Sequence, residues 1–181
     1  KFKEKHHYFW NVAGASEEHC NKYNCWAVKS AAINRKRVYI AKDEIVFSYY
    51  APEEEGVKLY FPERKGTDRF KGNLPYHYLW NFNNLQECKK LIIQKSYKDL
   101  IINALFTPCV TATQAEAIKI FDGETVGRIN AISKEVYVFW GADEDGVKKC
   151  KEVTKLHQWK YVNTPRNLLP LNDLYGMVKA V

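Results

Sequence analysis

The sequence predicts an α/β fold: a mainly parallel sheet flanked by helices over residues 85–181, preceded by a smaller α+β region with a β-hairpin over residues 1–84. Three observations carry this expectation. From residue 88 onward, β-branched and apolar runs alternate with helix-like stretches of 8–15 residues, the pattern of right-handed βαβ crossovers. Earlier, "EIVFSYY" (44–50) and "VKLYFP" (57–62) flank the Pro-, Glu- and Gly-rich "APEEEG" (51–56), as two strands flank a loop. Finally, 46% apolar and 27% charged residues over 181 positions are ordinary for a globular protein, and no stretch nears the roughly 18 apolar residues of a membrane span.

In the first forty residues one helix is legible. Ser16 is a plausible N-cap, Glu17 and Glu18 follow in the first turn, and Cys20 and Tyr23 stand at helical spacing. "NRKRVYI" (34–40) crowds three basic residues before an apolar segment and reads as a phosphate-contacting arm or a solvated loop, the loop being favoured. After the hairpin, "ERKGTDRFKGN" (63–73) is turn-rich. Its glycines allow close backbone approach while Arg64, Lys65, Arg69 and Lys71 can neutralise phosphates, although an ordinary exposed loop has the same composition. "NLPYHYLWNFNN" (73–84) is too aromatic for a free linker and is expected to pack between the halves.

The second half reads strand "CKKLIIQ", helix "SYKDLIINALF" with Ser96 near its start, strand "CVTAT", helix "QAEAIKIF", a connection "DGETVGRINAIS", and strand "KEVYVFW" (134–140). Helix "DEDGVKKCKEVTKLH" (143–157), strand "QWKYVN" and a last helix "NDLYGMVKAV" complete it. Ligands of such sheets bind beyond the carboxyl ends of the strands, so chemistry is expected in the turns after Ile93 and after Trp140.

Five scattered cysteines without a CxxC pair suggest reduced thiols and a cytoplasmic setting. "HCNKYNC" (19–25) has no second ligand pair at suitable spacing, so zinc is not expected and core cysteines are. A net charge of +7 with Lys and Arg interleaved among Tyr, Trp and Phe makes nucleic acid the first partner to consider, against a merely soluble basic protein.

Two short motifs sharpen this. Lys95-Ser96-Tyr97-Lys98-Asp99 follows the first apolar strand, and Gly141-Ala142-Asp143-Glu144-Asp145-Gly146 follows a later one. In that order they resemble the two motifs of the TOPRIM domain of bacterial-type primases, topoisomerases and phage replication proteins. There the first reads Glu-Gly-x-x-Asp and the second Asp-x-Asp-x-x-Gly. The likeness is closer to a phage primase subgroup in which "TKSxKD" replaces the Glu-Gly motif. "VKLYFP", "RFKGN" and "VTATQAE" resemble that subgroup's words, the tail "NDLYGMVKA" (172–180) is similar to a segment that follows in phage primases, and the resemblance spans roughly 44–180.

The resemblance implies a TOPRIM-like sheet and a primase-type nucleotidyltransferase, with an acid–base glutamate and an aspartate pair holding Mg²⁺. It also implies single-stranded DNA or RNA, or nucleotides, as ligands, a replicative helicase as partner, no membrane association, and a cytoplasmic location, that of the host if phage-encoded. Here, however, Lys95 stands at the Glu position and Gly141 at the first Asp position. Asp99, Asp143 and Asp145 are the remaining catalytic candidates, and Asp143 and Asp145 the remaining metal ligands. An ammonium about 4 Å from a divalent metal is repelled by on the order of 8 kcal/mol at an effective dielectric of 20. Weak, substrate-assisted Mg²⁺ binding then requires Lys95 to point away.

The reading placed first is that Lys95, with Ser96 and Lys98, holds a phosphate directly and catalysis is altered or lost. The competing local reading pairs Lys95 with Asp99 or Asp143. At the level of function, the alternatives are an active Mg²⁺-dependent nucleotidyl transferase or nuclease, and a non-catalytic protein-interaction scaffold.

Overall fold

The computed structural model describes residues 1–115, 118–141 and 143–162. Two compact units divide the chain, Lys1–Pro75 and Tyr76–Val181.

The first unit opens with helix α1 (Glu4–Asn11) and helix α2 (Glu17–Lys22), followed by strands β1 (Cys25–Ala27), β2 (Ala31–Ile33), β3 (Lys36–Val38), β4 (Phe47–Ala51), β5 (Gly56–Tyr60) and β6 (Phe70–Gly72). Ser16 caps α2 as expected, its hydroxyl accepting from His19 N at 3.0 Å. Helix α1 was not legible: its buried stripe is only His6 and Trp10, set among charged and polar neighbours. It is held by aromatic packing, with Phe2, His6, Phe9 and Trp10 all within 5.6 Å of the Phe47 ring centre.

The expected hairpin forms as β4 and β5, in a four-stranded antiparallel sheet ordered β1-β4-β5-β6. Its register pairs Phe47 with Tyr60 and Tyr49 with Lys58, which places these four on one face. Strand β6 lies inside the segment read as a loop. A second correction concerns "NRKRVYI". Asn34 and Arg35 adopt φ of 51° and 62° and form the two-residue turn of a separate hairpin, β2–β3. Ala31, Ile33 and Val38 pack against Val46, Leu59 and Phe61, so apolar burial overrides the basic composition that suggested a loop.

The second unit contains strand β7 (Lys90–Gln94), helix α3 (Tyr97–Asn103), strand β8 (Val110–Ala112), helix α4 (Gly123–Ile132), strand β9 (Glu135–Phe139), helix α5 (Glu144–His157) and strand β10 (Lys160–Tyr161). All pairings in its sheet are parallel, in the order β10-β9-β7-β8. Leu91 pairs with Val136 and Ile93 with Val138, so one face presents a continuous apolar surface to Ile129, Cys150, Val153, Trp140 and Trp159. Residues ahead of β7 belong to this unit: Trp80 bridges Ala112, Thr111 Oγ1 donates to Trp80 O at 2.7 Å, and Phe82 joins the core.

The helix expected at "QAEAIKIF" (114–121) falls partly outside the described residues. Among its described residues there is a single 3-10 turn, Ile118–Ile120, and the helix lies just beyond, as α4. Asp122 caps α4 by accepting from Thr125 N at 2.8 Å, and Ile129 anchors it in the core. Gly123 and Gly127 disguised this helix as a connection, since glycine is a poor helix former; a Cβ at either meets nothing within 4 Å. The helix expected over 172–181 falls outside the described residues.

Candidate functional site

Strand order fixes where the second unit can hold a ligand. The chain leaves β7 toward β8 on one side and leaves β9 toward β10 on the other, so the carboxyl ends of β7 and β9 border the crevice where the direction of winding reverses. Register sets Gln94 opposite Phe139, and the two turns expected to carry chemistry emerge next to one another.

They meet through an ion pair. Lys95 Nζ lies 3.8 Å from Asp143 Oδ2, with side chains 28% and 40% exposed. Asp143 is also the N-cap of α5, its Oδ1 accepting from Gly146 N at 2.8 Å. Both of its oxygens are therefore committed, one to the helix and one to the lysine. This is the competing arrangement foreseen for Lys95, with Asp143 as the partner.

The other candidates from the motifs are placed differently. Ser96 caps α3: its hydroxyl accepts from Asp99 N at 3.2 Å and donates to Asp99 Oδ2 at 2.8 Å. Asp99 is 3% exposed and Lys98 8%, so both are enclosed by the fold. Just before them Tyr97 stacks on Trp80 with ring centres 4.2 Å apart, which fixes the start of α3 against β8. Asp145 points to the helix surface and accepts from Lys149 at 2.6 Å. That hydrogen bond, with Lys149, Lys148 and Lys95 nearby, holds its carboxyl below the usual range.

A divalent metal held by carboxylates is what the resembled motifs imply, and the residues present do not fit one. An ammonium stands beside the best-placed carboxylate, Gly141 offers no ligand, Asp99 is enclosed, and Asp145 is engaged by Lys149. Among the described residues no group of three or more His, Cys, Asp or Glu is arranged to hold a metal ion. The thiols of "HCNKYNC" are core groups: Cys20 and Cys25 are fully buried, and burial together with a hydrogen bond between them raises the Cys25 pKa.

In the first unit the basic segment is more structured than its composition suggests. Arg64 grips Glu44 with two hydrogen bonds of 2.6 and 2.8 Å, donates to Tyr39 O at 2.9 Å and lies 3.8 Å over the Phe61 ring. Lys71 pairs with Asp68 at 2.8 Å, Arg69 reaches the Tyr60 hydroxyl at 3.4 Å, and Lys65 is exposed. Sequence reasoning missed Lys58. Its amine sits 4.8 Å over the Phe70 ring, and burial lowers its pKa to about 8. The one available signal was its alternation with Leu59 and Tyr60 in "VKLYFP".

A mixed α/β chain with a four-stranded parallel sheet of this order is similar in fold to the catalytic cores of primases. No family model matches the sequence, and no curated protein does. Among solved structures, the primase fragment of the bacteriophage T7 primase-helicase protein aligns with a TM-score of 0.63 at 15% identity, over 92% of this chain and 66% of that one. A DnaG primase catalytic domain bound to single-stranded DNA aligns with a TM-score of 0.69 at 9% identity, over 98% and 68%. The Aquifex aeolicus primase fragment of zinc-binding and RNA polymerase domains aligns at 0.66 and 12%, over 91% of this chain and 50% of that one. The chain thus has the primase catalytic-core fold and spans from half to about two thirds of these fragments. No helix among the described residues is long and apolar enough to cross a membrane.

Proposed function

We propose that this chain is a primase-type, replication-associated protein that binds the phosphates of nucleic acid or nucleotides through Lys95, with the carboxylate–metal catalysis of active relatives altered or lost. The observation that carries the reading is the Lys95–Asp143 pair in the β7/β9 crevice. Each member is about a third exposed, so a phosphate can displace the carboxylate without opening the core. Such an exposed pair contributes only about 0–1 kcal/mol, which a charge-assisted contact to phosphate offsets. Lys65, Arg69 and Lys71 are proposed as further phosphate contacts, and Arg64 as the residue that orders their segment. One fold relative is described bound to single-stranded DNA and another with primase domains on an RNA/DNA hybrid, which supports a nucleic-acid ligand. The T7 relative belongs to a primase-helicase protein, and a replicative helicase is proposed as partner on that likeness.

The test is binding of a fluorescent single-stranded oligonucleotide across a salt series in the presence of EDTA. The reading expects binding without divalent metal, a steep salt dependence, and weaker binding by Lys95→Ala. Metal-dependent primer synthesis that persists with Lys95 intact would overturn it, as would a Lys95→Ala variant that binds as the wild type does.

A further inference from the structure

The first unit carries a groove that the crevice at Lys95 does not use. Three adjoining hollows of about 720, 360 and 420 Å³ run along α1, the β1–β2 turn and residues 37–45. Lys29 lines all three, and Lys3 and His6 line two. Lys5 and Lys42 add to the largest hollow and Arg37 to the smallest, beside Tyr39, which is 78% exposed. Acidic groups are also present, and the largest hollow touches Glu4, Asp43 and Glu44. Two of these are answered locally: Asp43 pairs with Lys3 at 3.6 Å, and Glu44 is held by Arg64. Glu44 also accepts from Ala41 N at 2.9 Å, which fixes the 41–44 wall before any ligand arrives.

A second, independent feature lies in the wall of this groove. His6 is 6% exposed, and its Nδ1 accepts from Lys3 N at 3.2 Å, so the neutral ring carries its proton on Nε2. Burial, then the charge of Lys3, lowers its pKa and favours that neutral form. Nε2 is buried and has no hydrogen-bond partner among the described residues, although His6 lines two of the hollows. A buried N–H donor left unpaired costs about 1–3 kcal/mol, and an anionic oxygen in the hollow would remove that cost.

We infer that this groove is a second nucleic-acid site, in which the phosphodiester backbone of a single strand lies along Lys29, Arg37 and Lys42, Nε2–H of His6 donates to a phosphate oxygen, and a base stacks on Tyr39. The chemistry recognised is phosphate, which a free polyphosphate also offers. A strand is favoured because the cations are spread over three hollows rather than converging on one, and because an exposed aromatic face stands at one end. The inference rests on the reading of the chain as a nucleic-acid binder, but not on Lys95.

The test measures binding of a 20-nucleotide oligothymidylate, over a salt series, to wild type, Lys29→Glu/Arg37→Glu and Lys95→Ala. Both exchanged positions in the double variant are exposed, so the fold is retained. Each lost phosphate contact lowers the salt slope by about 0.7, so the double variant shows a slope smaller by about 1.4 and about tenfold or more weaker binding. In parallel, the His6 ring nitrogens are followed by ¹⁵N NMR, and Nε2 shifts on adding oligothymidylate. Unchanged affinity and slope in the double variant overturn the site. A His6 shift with tripolyphosphate but none with oligothymidylate overturns the strand and leaves a polyphosphate pocket. Weakening in the double variant with none in Lys95→Ala supports this groove while refuting the role given to Lys95.

Discussion

Replacing Lys95 by glutamate inverts the charge at the β7/β9 crevice and is the sharpest perturbation of the proposed function. At 3.8 Å and an effective dielectric of 20 the Lys95–Asp143 attraction is about 4 kcal/mol before solvent screening. Because both groups are about a third exposed, the realised value is near the upper end for surface pairs, about 1 kcal/mol, and the carboxylate pair that replaces it is repulsive by a similar amount. Lys95→Glu is therefore expected to be destabilised by about 1–2 kcal/mol, a fall in Tm of roughly 3–6 °C for a chain of this size. Two neighbouring carboxylates in place of an ion pair are also expected to create an affinity for divalent metal, which the proposed function denies to the wild type. At Mn²⁺ a hundred times its Kd the variant regains about 2.7 kcal/mol. The assay is thermal unfolding of both proteins with and without MnCl₂, coupled to oligonucleotide binding in EDTA. Wild type should show no Mn²⁺ shift and the variant a clear one, with weaker oligonucleotide binding. Equal Mn²⁺ stabilisation of the two proteins would falsify the claim that the lysine excludes metal.

Two predictions concern the first unit. Arg64, first through its hydrogen bonds, depresses the Glu44 pKa, so this pair stabilises the fold above the unfolded glutamate pKa and the contribution is lost as pH falls through the lower folded value. Acid unfolding followed from pH 6 to 2 should show a stability loss below about pH 4.5 that Glu44→Gln abolishes; an identical acid profile in the variant removes the clamp from the account. Lys58 has the opposite effect. Burial lowers its folded pKa to about 8, so the unfolded chain binds the extra proton between there and about 10.4, and stability rises with pH across that window by up to about 3 kcal/mol. Lys58→Met should be more stable than wild type at pH 7 and lose this alkaline rise. A variant less stable at pH 7 contradicts the desolvation argument.

How much of this was legible in the sequence follows from the range over which each signal acts. The parallel sheet could be read because Leu91, Ile93, Val136 and Val138 fall in short apolar runs, and Ser16 and Ser96 sit next to the helices they start; Asp143 was read as a residue of the first turn of its helix and is its cap. Helix α4 was lost because two glycines outweighed the pattern of Val126, Ile129 and Ile132, which only the packed core makes decisive. The Lys95–Asp143 contact was foreseen as one of two pairings, since both motifs end strands that a βαβ arrangement makes neighbours. Arg64 was not foreseen as a clamp: its partner Glu44 lies 20 residues away, and nothing local distinguishes it from Lys65. The enclosure of Lys98 and Asp99 was equally hidden, because burial depends on the packed unit, in which the neighbouring Tyr97 stacks on Trp80 from a segment expected only to pack between the halves.

The proposed departure from a metal site involves the backbone as well as the side chain of residue 95. Gly141, at the first aspartate position of the resembled motif, has φ of 115°, a conformation that L side chains rarely adopt. An aspartate placed there would be strained by about 1–3 kcal/mol, or would require the turn between β9 and α5 to change. Such a change would disturb Asp143, whose Oδ1 bond to Gly146 N at 2.8 Å starts the helix two residues on. Restoring the motif one residue at a time is therefore not additive. Lys95→Glu is expected to gain Mn²⁺ stabilisation alone, whereas Lys95→Glu/Gly141→Asp loses at least as much to strain as it gains from another ligand. Its metal-free Tm should lie several degrees below that of the single variant, and its Mn²⁺ shift should be no larger. If the double variant instead binds Mn²⁺ more tightly with no cost in stability, the turn tolerates a side chain and residue 95 alone separates this crevice from a metal site.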